Sequence, residues 1–99
     1  MTASQTWKRL EKKAADILGG KRAGVTGQEN PDVYHPQFEI ECKYRASLAF
    51  VPWFKQAEKH SKKSGKTPLL ICKLKGKMGE YVILKLEDFK TLIDDNSTN

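Results

Sequence analysis

The stretch Phe38-Glu39-Ile40-Glu41-Cys42-Lys43-Tyr44 alternates apolar and charged residues without exception. Successive side chains on a strand point to opposite faces, so Phe38, Ile40, Cys42 and Tyr44 face a core while Glu39, Glu41 and Lys43 face the other way. The charged face is predicted to be the working surface. A glutamate and a lysine two residues apart there set a hard oxygen ligand beside a positive charge, which suits a divalent cation and a phosphate.

The rest of the chain supplies elements to pack around this strand. Trp7, Leu10, Ala14, Ile17 and Leu18 recur at helical spacing from about Ser4, and Gly19-Gly20 stops that helix. Lys21 to Thr26 reads as a first strand, Gly27 to Pro31 as a loop, and Asp32 to Tyr34 as a short second strand, with His35-Pro36-Gln37 turning into the third. After a connector from Arg45 to Val51, Pro52 is expected at the first position of a helix that Gly65 closes near Ser64. Thr67 to Cys72 has the continuous apolar character of a strand covered on both faces. Lys75 to Gly79 turns into a fifth strand, Glu80 to Leu86, and Phe89, Leu92 and Ile93 mark a last helix. The expected order is α-β-β-β-α-β-β-α in one α/β domain over residues 1–93, with Asp94 to Asn99 as a frayed tail.

Composition limits the function classes. At 99 residues there is room for one modest core. With 38% hydrophobic and 30% charged residues, no apolar run long enough to span a bilayer and no secretory pattern at Met1 to Gln5, the expectation is a soluble cytoplasmic protein. Cys42 and Cys72 fall within apolar strand patterns and read as buried reduced thiols. With His35 and His60 they show no paired ligand spacing, so a structural zinc is not expected. The net charge of +6 suits an anionic partner, and leaving aside Asp94 and Asp95 makes the body more basic still.

Pro31-Asp32 followed by Ile40-Glu41-Cys42-Lys43 resembles the signature of the PD-(D/E)xK nuclease superfamily, in the form seen in archaeal-type Holliday junction resolvases and their small phage relatives. The resemblance implies a restriction-endonuclease-like mixed sheet of about five strands flanked by helices. It implies a magnesium-dependent DNA endonuclease, with manganese as a substitute, that leaves 5′ phosphate and 3′ hydroxyl ends. By the same resemblance Asp32 and Glu41 are metal ligands, the backbone carbonyl of Cys42 completes the coordination, and Lys43 is the catalytic cation. Gln56, on the helix after the third strand, matches a polar residue that helps to position such sites. Paired incision of a four-way junction would require a chain this short to act as a homodimer, and the compact C-terminal half sets it apart from larger resolvases.

The residues themselves bear on several of these roles. On a helical wheel Glu11 points with Trp7, Ala14, Ala15 and Leu18, where an unpaired carboxylate is costly. Either it sits at the rim and reaches water, or it reaches the site, as a first-helix glutamate does in some resolvase-like relatives, where it lies near the metal. Asp32 is a good turn residue after Asn30-Pro31, but a following hairpin would set it beside Glu41 at the strand spacing of about 4.8 Å. Glu39, about 6.8 Å from Glu41 along the strand, is expected to be a bystander. Lys55, Lys59, Lys62 and Lys63 share one side of the second helix opposite Trp53, Phe54 and Ala57, an arrangement suited either to plain solvation or to DNA phosphates. Lys21, Arg22, Arg45 and Ser47 are further candidates for DNA contact.

Two other classes compete with the enzyme. One is a nucleic-acid-binding module that keeps a nuclease-like fold without cleavage, with Trp7, Trp53 and Tyr44 packing or stacking. The other is a regulatory protein whose basic helix docks on an acidic partner.

Overall fold

The computed structural model describes residues 3–24 and 31–97, so the end of the expected first strand, Val25 and Thr26, and the loop residues Gly27 to Asn30 lie outside the described residues. Helix α1 (Ala3–Leu18) is followed by β1 (Lys21–Arg22), β2 (Val33–Tyr34) and β3 (Phe38–Arg45), then α2 (Phe50–Ser64), β4 (Thr67–Leu74), β5 (Tyr81–Ile83) and α3 (Leu86–Ser97). The order is the expected one. The strands form a five-stranded open mixed sheet in the order β1-β2-β3-β4-β5, antiparallel except where β4 pairs parallel to β3. A parallel pair needs a long crossover, and α2 supplies it.

Register explains the layers. Ile40 pairs with Leu69 and Cys42 with Ile71, so these four side chains share one face. They meet Leu10, Ala14 and Ala15 of α1 and Val33 of β2 in the main core. On the opposite face α2 lays its buried residues, Phe54 and Ala57, over β3 and β4. Leu69 to Cys72 are consequently all buried, as a strand covered on both faces requires.

Several boundaries differ from expectation, each for a local reason. Helix α2 starts at Phe50, two residues early, because Pro52 also fits inside the first turn, where its missing N–H has no intrahelical partner to lose. Gly65 ends the helix at φ +74, its N–H donating to Ser61 O at 2.8 Å. Strand β5 is only three residues long. Residues 94–97 were expected to fray but lie in α3, where Lys90 Nζ bonds Asp94 Oδ2 one turn away at 2.6 Å. Cys42 and Cys72 are buried free thiols, as expected.

The entry to the sheet is pinned by two contacts that composition does not reveal. His35 donates from Nε2 to the Leu18 carbonyl at 3.0 Å and accepts the Gln37 N–H at Nδ1 at 3.0 Å, tying the turn after β2 to the end of α1. Gly20 passes so close to β2 that a Cβ there would stand 2.5 Å from Tyr34 O and 2.9 Å from Val33 Cγ1. Neither obstacle is a flexible side-chain end. Gly20→Ala is therefore expected to destabilise the fold by about 1–3 kcal/mol, read as a lower urea midpoint with an unchanged slope.

Candidate active site

Asp32 is held from both sides. Its N–H donates to Ile40 O at 3.0 Å, and its carbonyl accepts from Ala23 N–H at 3.0 Å. Because Val33 pairs with Ile40 in an antiparallel ladder, Asp32 stands opposite Glu41, and both side chains point away from the α1 core. Beyond this point β2 leaves β3, and the Cys42 N–H is taken by Asp32 Oδ2 at 2.8 Å. The N–H and C=O of one extended residue share an edge, so the Cys42 carbonyl faces the same side of β3.

The two carboxyls interact directly. Glu41 is only 7% exposed, and its pKa is pushed up to about 8, first by burial and then by the charge of Asp32 and a hydrogen bond with it. Lys43, one strand repeat away on the same face, pulls it down, and Glu39 adds a smaller upward push. Two carboxyls this close share a proton more readily than they carry two charges. Burial, with the charges of Asp32, Glu11 and Glu41, likewise keeps the Cys42 thiol protonated.

Glu11 reaches the same field from α1. It is 2% exposed and does not extend to water from the helix rim. Arg22 Nε bonds its Oε1 at 2.8 Å. Burial raises the Glu11 pKa, the Arg22 hydrogen bond lowers it, and the nearby charge of Asp32 raises it again. This partner was invisible in the local pattern. Arg22, a candidate for DNA contact, lies on β1 within the expected first strand and points to the α1 face beside Val33.

The charged face is not the open surface that alternation alone suggests. Helix α2 roofs it, leaving Glu39 5% exposed, so this residue is no solvent-facing bystander. Available for solvent contact are Lys21, Arg45 and Ser47, together with Lys55, Lys59, Lys62 and Lys63 on α2. Arg45 spends one donor on the Tyr44 carbonyl at 2.9 Å. Gln56 is exposed on α2.

Among the described residues no three His, Cys, Asp or Glu side chains gather closely enough to enclose an ion. What the site offers is a carboxyl pair, a main-chain edge and an ammonium, with Glu11 held apart by Arg22. No family model matches the chain, and neither a curated protein nor a solved structure resembles it significantly.

Removing Arg22 strands a buried carboxylate. Arg22→Met is expected to cost about 2 kcal/mol, less than a fully buried pair would because Arg22 is partly exposed, and the double variant with Glu11→Gln should recover most of it. Glu41 gives a pH signature. Between its ordinary pKa of 4.5 and about 8 the folded chain holds a proton that the unfolded chain has lost, so stability falls as pH rises through that window. Urea midpoints measured without divalent ions should decline from pH 5 to pH 8, and Glu41→Gln should flatten most of the decline.

Proposed function

We propose that this chain is a divalent-cation-dependent DNA endonuclease that hydrolyses phosphodiester bonds. The observation that carries the reading is the Asp32–Glu41 pair, opposed across β2 and β3 at the point where the strands part, with Lys43 on the same face. Structural pairing explains such a cluster poorly, since a buried carboxyl beside a half-buried one costs stability when both are ionised. A cation in place of their shared proton would remove that cost.

Asp32, Glu41 and the Cys42 carbonyl are the groups that would hold magnesium or manganese, a hard oxygen set suited to these ions. When bound, the cation supplies Lewis-acid polarisation of the phosphate and a water acidic enough to attack it. The chain's own residues do the rest. Lys43 offsets the charge that builds on the scissile phosphate, Glu41 gives up its proton as the pair becomes fully ionised, and Glu11 acts as an outer charge whose position Arg22 sets. The exposed α2 lysines, with Lys21 and Arg45, grip the flanking phosphates and make binding fall steeply with salt.

The substrate we favour is branched DNA, cut in the manner of a junction resolvase by a homodimer. The second reading is a non-catalytic nucleic-acid-binding module, favoured by the engagement of Glu11 with Arg22 in place of a third ligand.

Labelled linear and four-way DNA incubated with magnesium or manganese separates the two. Cleavage by the wild type should fall at least about a hundredfold in both Asp32→Ala and Lys43→Ala. Metal-dependent product that persists undiminished in both variants rules out this site, and binding without product in the wild type favours the module. In parallel, magnesium should restore the stability lost between pH 5 and pH 8, because an ion that binds only the folded site stabilises it.

A further inference from the structure

Helix α1 lies over β1, β2 and β3, and the same face of the sheet beyond it is the floor of an apolar groove. Leu10, Ala14 and Ile17 of α1 form one wall, Ile71 and Val82, paired across β4 and β5, form the floor, and the hollow measures about 270 Å³. Val82 also lines a second hollow, with Leu84 and with Leu86 and Phe89 of α3. The apolar surface is therefore continuous from α1 across β5 to α3. Along it Ile17, Val82, Leu86, Phe89 and Ile93 are each more than half exposed. Single exposed apolar residues are ordinary, whereas a contiguous patch of them marks a contact surface.

Two halves of this patch match each other. Leu86, Phe89 and Ile93 make a stripe down one side of α3. From Leu86 to Ile93 is about 10.5 Å of helix, and Leu10 to Ile17 along the groove wall covers the same length. Charge matches as well. Helix α3 carries Glu87, Asp88, Asp94 and Asp95 against Lys90, while the exposed side of α1 carries Lys8, Arg9, Lys12 and Lys13 against Asp16. A helix with an apolar stripe and acidic flanks fits a groove with apolar walls and a basic rim.

We propose that this patch is the contact surface between two copies of the chain, the α3 stripe of each seated in the α1–β5 groove of the other. A two-fold axis near Val82 makes the two contacts equivalent, so the pair closes and no stripe is left uncovered. A single chain gives α3 little tertiary support, and the partner's groove supplies it. The contact deepens the endonuclease reading, which calls for two copies and places no interface between them, and it does not need cleavage to be true.

Sedimentation of the full chain without DNA or divalent ions tests it. At about 100 µM the wild type should be a dimer. Ile17→Lys in the groove and Phe89→Asp in the stripe should each raise the dissociation constant at least about thirtyfold. Both side chains are more than half exposed in the single chain, so the sheet should fold in both variants. An equimolar mixture of the two should dimerise again, because one contact keeps Ile17 and Phe89 and the other brings the two new charges, opposite in sign, together. In the wild type, amide exchange in α3 should slow as concentration rises through the dissociation constant. A wild type that stays monomeric, a dimer that survives both substitutions, a mixture that fails to dimerise, or α3 exchange that does not change as the dimer forms overturns the inference. None of these measurements involves cleavage, so their failure is distinguishable from failure of the endonuclease reading.

Discussion

Where β2 parts from β3, the Cys42 amide loses its ladder partner, and the Asp32 carboxylate takes it at 2.8 Å. A buried amide without an acceptor would be costly, so this bond closes the strand opening and fixes the Asp32 side chain in one orientation. Glu41 has no freedom to avoid it, because the parallel pairing of β3 with β4 sets the pleat along the full strand. The proximity of two acids, the retained proton and the open main-chain edge all follow from that one substitution of side chain for backbone.

The cost of this arrangement is spread over the neighbouring elements. Arg22 answers the Glu11 charge from β1, Lys43 answers Glu41 along β3, and the His35 clamp keeps the β2 turn against the end of α1. Such networks are expensive when only partly satisfied, and among the described residues the Glu39 Oε2 is the buried side-chain oxygen without a partner. Among the described residues the layer under α1 shows no unpaired buried side-chain oxygen, since its one buried carboxylate, Glu11, is met by Arg22.

Much of this was legible in the sequence. Alternation from Phe38 to Tyr44 separated the two faces of β3, Gly19-Gly20 and Gly65 marked helix ends, and the continuous run Leu69 to Cys72 identified the strand buried on both sides. The opposition of Asp32 and Glu41 followed from the hairpin between them. The α2 roof was not read, because a pleat tells which residues share a face and not what covers it. Phe54 and Ala57 held the signal, since an apolar helix stripe joining two parallel strands must land on a sheet face. Arg22 escaped because its partner lies eleven positions away on another element, and no local pattern encodes such a pair.

Helix α3 stands apart from this economy. Leu86, Phe89 and Ile93 are each at least half exposed, so the helix buries little of its apolar stripe. A short helix with so little tertiary support is marginal in water. Local opening of a helix so little buried costs less free energy than opening the sheet, and its melting would leave the strands that carry the acids in place.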